Sequence, residues 1–342
     1  MVKFSRISLA FSGALLSAAL LGACGDDNAT TPLVNTAATS SSSEQALNPV
    51  QSSSSEATTT SSDSQLQQQS SSSSETLLPP PLSSSSATST EPTCVETPVA
   101  TIAVDSLGLA DLADVFKSVR CNEKAVFVIR HGERDDGDHT KFSPLTYWDN
   151  IAADSVNGEP TDGVRQAIAV GKKLISADEF TYTHTKYLRT EQTCFYIAQG
   201  RGQQTFPHDS SEIYSISWFK KDSERYDFYK DSTKNVRLVI TGWAYDNLYA
   251  DAFYDLTEKA NEIIKTHIAP DYASMNKFRV ICSHDDFILP LSVFASNGTV
   301  NYRFHDPASR HWPYFLTGVA VIIDDKNQIR YVPFKGLGIG AE

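Results

Sequence analysis

The chain has 342 residues, with 41 acidic side chains against 29 basic ones and a formal net charge of -12. That balance lacks the basic footprint nucleic-acid binding needs. Five cysteines are too few for a disulfide scaffold in a chain this long.

Lys3 and Arg6 precede an apolar stretch at 7–23. A basic start followed by a short apolar run reads as an export signal, and the run is below the ~20 residues needed to span a bilayer. It ends at Leu21-Gly22-Ala23-Cys24, which resembles a bacterial lipobox. That resemblance implies lipidation of Cys24 and a membrane-tethered protein of the bacterial cell envelope. Gly25 stands where inner-membrane retention usually wants Asp, so the outer membrane is the expected destination.

Residues 24–93 carry serine runs at 40–43, 52–55, 70–74 and 83–86, with Gln67–Gln69 and Pro79–Pro81 between them. Such a segment has too little apolar surface to offset the entropy of ordering, so it is expected to be a disordered tether. Residues 94–342 form the globular remainder, roughly 250 residues, which suits one large domain. In an oxidising compartment Cys94 and Cys121 can pair and staple the end of the tether to that domain. Cys194 and Cys282 lie in apolar surroundings and read as buried free thiols.

Within the domain, residues 107–119 place Leu109, Leu112, Val115, Phe116 and Val119 at helical spacing. Residues 125–129 (AVFVI) form an unbroken apolar run, as in a central strand covered on both faces. Asp162 is placed to cap a helix with Val164, Ile168, Gly171, Leu174 and Ile175 on one face. Strands are predicted at 180–185, 236–241 and 278–283, and helices at 189–198 and 253–268. Residues 319–323 and 329–333 flank an Asp-Asp-Lys-Asn turn and read as a hairpin. Strands alternating with helices predict a three-layer α/β/α sandwich around a mostly parallel sheet. Residues 199–235 are aromatic and polar without clear period and are expected to form an irregular insertion near the active site.

The string Arg130-His131-Gly132-Glu133-Arg134 directly follows the apolar strand. In open α/β sheets ligands bind at the carboxyl ends of strands. Two planar guanidinium groups there suit a phosphate, and a neutral imidazole between them is a competent nucleophile near pH 7. The competing reading is a basic surface loop paired with Asp135, Asp136 and Asp138.

Three further strings follow in order. They are Thr161-Asp162-Gly163-Val164-Arg165-Gln166-Ala167, then Thr183 with Leu188-Arg189-Thr190-Glu191-Gln192-Thr193, and Ser283-His284-Asp285. Together with Arg130-His131-Gly132 they resemble the landmarks of the histidine phosphatase superfamily, over about residues 121–337. The resemblance implies that His131 is the nucleophile that becomes phosphohistidine. It implies that Arg130, Arg134, Arg189 and His284 bind the substrate phosphate. No cofactor or metal is implied. The implied partner is a small phosphate monoester, besides the membrane reached through Cys24.

The implied general acid is Asp285, as in the acid-phosphatase branch, with Glu212 as the alternative from the mutase-like branch. Asp286-Phe287 departs from the acid-phosphatase pattern, which has Thr and Asn there. Asp285 also has a plainer reading, as a cap of the helix that follows. His139, His184, His208, His267, His305 and His311 match no motif and are assigned no role. Trp218 reads as an aromatic packed under a loop. Two other functions remain open. One is a metal-dependent phosphohydrolase built on His284-Asp285 and His305-Asp306, and the other a phosphate-ester-binding lipoprotein without turnover.

Overall fold

The computed structural model describes residue 94 and residues 98–134, 140–147, 155–156, 159–160 and 162–342. The export signal, Cys24, the serine-rich tether, Asp135, Asp136, Asp138 and His139 lie outside the described residues. Among the described residues no helix is long and apolar enough to cross a membrane.

The described elements begin with strand β1 (Ala110–Asp111), helix α1 (Leu112–Lys117) and strand β2 (Glu123–Arg130). A short pair, β3 (Ser155–Val156) and β4 (Glu159–Pro160), precedes α2 (Gly163–Lys173). Then come β5 (Phe180–His184), α3 (Leu188–Gly200), β6 (His208–Ser210), α4 (Ser223–Thr233) and α5 (Val236–Asp246). The chain continues through α6 (Leu256–Ile263), β7 (Phe278–Ser283), α7 (Asp285–Ala295), β8 (Thr317–Asp324) and β9 (Ile329–Lys335).

Seven strands form one sheet in the order β1-β9-β8-β2-β7-β5-β6. Strands β2, β7, β5 and β6 run parallel, while β8 is antiparallel to both β2 and β9. Alternate residues of β2 point to opposite faces, and each face is covered by helices. Val126 and Val128 pack with buried residues of α5, α6 and α7. Ala125, Phe127 and Ile129 pack with those of α1, α2 and α3. The fold is thus the expected three-layer α/β/α sandwich, and the apolar run of β2 is buried on both sides as its composition predicts.

Several expectations need correction. Residues 236–241 are helical, within α5. Asn235 caps that helix by accepting from Arg237 N at 3.0 Å, and Val239, Ile240, Trp243 and Ala244 are buried at helical spacing. A short apolar run does not by itself distinguish strand from buried helix. The helix expected at 107–119 is confined to α1, because the Asp111 carboxylate caps it from the first turn, 2.8 Å from Ala113 N. The helix expected at 253–268 starts later, at Leu256, and ends in a π turn at Ile264–Ile268. Asp162 does cap α2, accepting from Arg165 N at 2.9 Å. Of its expected face, Gly171 and Leu174 are buried, Val164 and Ile168 half-buried and Ile175 exposed, and Ala167 and Val170 are buried beside them. Gly171 lies against the backbone of α3, where an added Cβ would lie 2.3 Å from the Ile197 carbonyl.

Cys94 and Cys121 pair as expected, with Cα atoms 5.6 Å apart. Cys194 and Cys282 are buried but not free. They form a second disulfide between α3 and β7, joining cysteines 88 residues apart in sequence. The segment 199–235 is less irregular than its composition suggests, since it contains β6, a 3-10 turn at Ile216–Trp218 and α4.

Candidate active site

The carboxyl ends of β2, β5 and β7 open into a cavity of about 440 Å³. Arg130, His131, Arg134, Arg189, His284 and Asp285 all line it, and so does Glu212 at its exposed side. Four strings spread over residues 130–285 therefore meet in one place, three lining the cavity and the fourth, around Gly163, packing against the first.

That packing explains the first glycine. A Cβ on Gly132 would lie 2.8 Å from the Gly163 carbonyl, and one on Gly163 would overlap the Glu133 carbonyl at 2.0 Å. The strand-end loop and the start of α2 touch backbone to backbone, which only glycine permits. Gln166 then accepts from Glu133 N at 2.9 Å, and Thr193 accepts from Gly132 N at 3.0 Å. The loop that carries His131 is held from both sides.

His131 is 3% exposed. Its Nδ1 lies 2.7 Å from the Gly132 carbonyl. A carbonyl only accepts, so Nδ1 carries the proton and Nε2 keeps its lone pair. Burial pushes the imidazole well below its ordinary range, and the charges of Arg130, His284 and Arg189 push the same way. The ring is therefore neutral at physiological pH.

His284 lies beside it, with ring centroids 5.5 Å apart and planes at 69°. Its Nε2 is 2.9 Å from Thr185 Oγ1, which is 2.8 Å from Thr190 Oγ1. Thr190 donates onward to the Tyr187 carbonyl at 2.7 Å. Read back from that obligatory acceptor, the protons run from His284 Nε2 to Thr185 to Thr190. His284 thus offers Nδ1 as its other ring nitrogen. Burial, then Arg189, lowers its pKa to about 3.

Arg130 Nη1 donates to the Pro313 carbonyl and to Glu342 Oε1, the latter at 2.8 Å, and Nη2 lies 3.1 Å from Asp285 Oδ2. Its guanidinium covers the Phe315 ring at 4.2 Å. Arg189 stacks on Tyr187 at 4.3 Å and donates to the Thr140 carbonyl at 3.1 Å. Burial and the nearby Arg134 lower its pKa to about 10, which leaves it charged at neutral pH. The Nε atoms of Arg130 and Arg189 are both buried without a hydrogen-bond partner among the described residues. Two such orphaned cationic donors in one cavity are the signature of a site for an anion.

The acidic residues differ sharply. Asp285 stands in the first turn of α7, and the N-cap is His284, so Asp285 does not itself occupy the cap position. Burial alone would raise its pKa. Arg130 and the Trp312 indole, whose N–H donates at 2.9 Å, override that and hold the carboxyl well below the usual carboxylate range. Asp286 behaves oppositely: burial and the adjacent Asp285 push it up to about 7. Glu212 is half-exposed, pairs with Lys141 at 3.3 Å and Lys186 at 3.7 Å, and is lowered chiefly by Lys141.

Sequence reasoning missed Thr185, Thr190, Trp312, Asp286 and Glu342. Thr190 lies within the Arg189 string but carries no charge, and Asp286 directly follows Ser283-His284-Asp285; Thr185, Trp312 and Glu342 sit in none of the four strings. His305 lies outside this cavity and pairs with Asp246 on α5 at 2.6 Å. Trp218 packs as expected, donating from its indole to the Lys259 carbonyl at 3.0 Å.

No family model matches this chain, and no curated protein matches it. Solved structures do. A phosphoglycerate mutase from Bacillus anthracis str. Sterne is 13% identical, covers 63% of this chain and 93% of its own, and has a TM-score of 0.39. A mycobacterial glucosyl-3-phosphoglycerate phosphatase is 12% identical, with 62% and 97% covered and a TM-score of 0.34. YhfR of Bacillus stearothermophilus is 15% identical, with 62% and 96% covered and a TM-score of 0.38. Likeness of this degree leaves the chemistry to be argued from the site itself.

Proposed function

We propose that this chain is a phosphatase that hydrolyses phosphate monoesters through a phosphohistidine on His131. The observation that carries the reading is the pair of arginine Nε donors without a partner among the described residues, beside a neutral imidazole whose Nδ1 is engaged by the Gly132 carbonyl and whose Nε2 keeps its lone pair. Arg130, Arg134 and Arg189 bind the phosphoryl oxygens and stabilise the charge that develops on them during transfer. His284 completes the pocket, oriented by the Thr185–Thr190 hydroxyl pair. His131 Nε2 attacks phosphorus, the P–O bond to the leaving group breaks, and the leaving oxygen takes a proton. Water then attacks the phosphohistidine and releases inorganic phosphate.

The proposed acid is Asp285. In the ligand-free site its negative charge is matched by Arg130. An incoming phosphate competes for that guanidinium, and the loss of the counter-charge raises the carboxyl into a range where it holds a proton. Asp286 supports a second reading, because it already carries a raised pKa at the cavity wall. Glu212 is the weakest of the three, being solvated and paired to two lysines.

We further propose that the domain works tethered to the bacterial envelope, in the outer membrane, through a lipid on Cys24. Two disulfides fit an oxidising compartment. They also consume four of the five cysteines, leaving Cys24 as the one without a disulfide partner in the domain.

The test is a chelator-treated screen of the full chain against a panel of phosphate monoesters, run beside His131→Ala. Turnover that survives the chelator and vanishes in the variant supports the reading. Undiminished turnover by the variant refutes it. Turnover abolished by chelator and restored by metal would favour a metal-dependent phosphohydrolase instead.

A further inference from the structure

His184 closes β5, Glu191 sits in the first turn of α3, and His208 opens β6. One ligand atom from each lies within 4.8 Å of the other two. We propose that these three side chains form a site for a zinc-like divalent ion, beside the phosphate cavity and separate from it. The proposal does not depend on the phosphatase reading.

Both imidazoles are already set up as ligands. His184 Nδ1 lies 2.7 Å from the Thr185 carbonyl, and His208 Nδ1 lies 2.9 Å from the Phe206 carbonyl. Carbonyls accept only, so each Nδ1 carries the proton and each Nε2 keeps a lone pair. A backbone carbonyl behind the distal nitrogen is the usual device that fixes the tautomer of a metal-bound histidine and raises its basicity. His208 is also held in place by stacking on Phe206, with centroids 4.3 Å apart and planes at 19°. The two imidazole rings are 5.4 Å apart.

Glu191 supplies the charge. Its carboxylate forms no ion pair or side-chain hydrogen bond among the described residues. Two neutral nitrogens and one carboxylate suit zinc better than calcium or magnesium, which prefer all-oxygen shells. A tetrahedral zinc has bonds of about 2.0–2.2 Å to such atoms, so ligand atoms within 4.8 Å of one another draw closer together on binding. His184 is buried, while Glu191 and His208 are exposed, which leaves an entry path and room for a water as fourth ligand.

The ion's role would be structural. Strand β6 is a three-residue edge strand, and among the described residues it pairs in the sheet with β5 alone. A metal on His184, Glu191 and His208 clamps it to both β5 and α3. The residues that follow β6 include Glu212, Ser215, Ile216 and Ser217, which line the phosphate cavity.

The experiment uses the untagged full chain, stripped of metal by a chelator and then equilibrated with zinc and desalted. Bound zinc is measured by mass spectrometry of the metal, and thermal unfolding is followed with and without zinc. His208→Ala and Glu191→Gln alter exposed side chains and keep the fold. We expect one zinc per chain and a zinc-dependent rise in Tm. Both variants should bind more weakly by at least the roughly 10–100-fold that second-shell losses alone produce. They should also lose the Tm rise, whereas the exposed control His267→Ala keeps both. Cobalt substitution should give the intense visible bands of a four-coordinate ion. No zinc retained by the unmodified chain, or equal retention by His208→Ala, overturns the proposal.

Discussion

Arg130 Nη2 lies 3.1 Å from Asp285 Oδ2, joining the end of β2 to the start of α7 across the floor of the cavity. The residue proposed to grip phosphate and the residue proposed to supply a proton thus neutralise each other until a ligand arrives. The ion pair is largely buried, with side-chain exposures of 7% and 27%, so it is poorly screened by solvent. Breaking it from either side has different consequences.

Asp285→Asn keeps the shape and removes the charge. We expect turnover of alkyl phosphates to fall by about 10²–10⁴, the range typical for a lost general acid. Activated aryl phosphates, whose leaving groups need no proton, should be far less affected. Binding of inorganic phosphate should be retained or strengthened, because Arg130 is released and a nearby negative charge is gone. Steady-state kinetics with both ester types and product inhibition by phosphate check this. If Asp286→Asn shows the leaving-group dependence and Asp285→Asn does not, the proton comes from Asp286.

Thr185→Val removes the acceptor for His284 Nε2 while nearly keeping the volume. The ring then has no fixed tautomer. We expect a drop in kcat of roughly tenfold, with a stability loss of only about 1–2 kcal/mol, as for one buried hydrogen bond. The nitrogen shifts of His284 should report a protonated Nε2 in the parent chain and a mixture in the variant. Unchanged shifts would dissociate the hydroxyl pair from the histidine.

Much of this site is legible in the sequence, and the reason is local. The apolar run of β2 fixes where the strand ends, so Arg130 and His131 must emerge at its carboxyl edge. The same holds for Ser283-His284-Asp285 after β7. Asp162 announces the start of α2 because a capping carboxylate is a short-range device. What sequence does not carry is the long-range pairing of neutral or solitary groups. Trp312 meets Asp285, Thr185 meets His284 and Cys194 meets Cys282 only because the sheet brings their elements together. The misread helix α5 has another cause: six apolar-rich positions fit a strand and one buried helix face equally well.

Glu123 opens β2 at the opposite end of the sheet from the cavity. It accepts from Arg330 at 2.9 and 3.1 Å and from Arg120 at 2.9 Å. Burial raises its pKa, but Arg330 and Arg120 together lower it to about 2. Because the folded value is below the unfolded one, its stabilisation is fully present above about pH 4.5. It fades as the pH falls toward 2. Glu123→Gln should cost about 3–5 kcal/mol at neutral pH, as for one broken partner of a buried ion pair. The difference from the parent chain should shrink steadily in denaturant melts run at falling pH. A constant difference would show that packing and not charge is lost.

The Cys194–Cys282 disulfide ties the helix carrying Arg189 to the strand leading to His284. Closing so long a loop stabilises by about 4–5 kcal/mol in the chain-entropy account, with smaller values common in practice. Replacing both cysteines by alanine should lower Tm more than replacing Cys94 and Cys121, whose loop is shorter. Differential scanning calorimetry of the two double variants compares them directly, and the reverse order would contradict the ranking.

The central claim is that His131 carries the phosphoryl group between the two half-reactions. Rapid quenching under alkaline conditions, followed by peptide mass spectrometry, tests it most directly. With a fast aryl phosphate substrate, the account predicts an acid-labile phosphoryl adduct on the His131 imidazole. The adduct should form within one turnover and disappear as substrate is exhausted. Turnover proceeding with no adduct on His131, or with the adduct on another side chain, would contradict it.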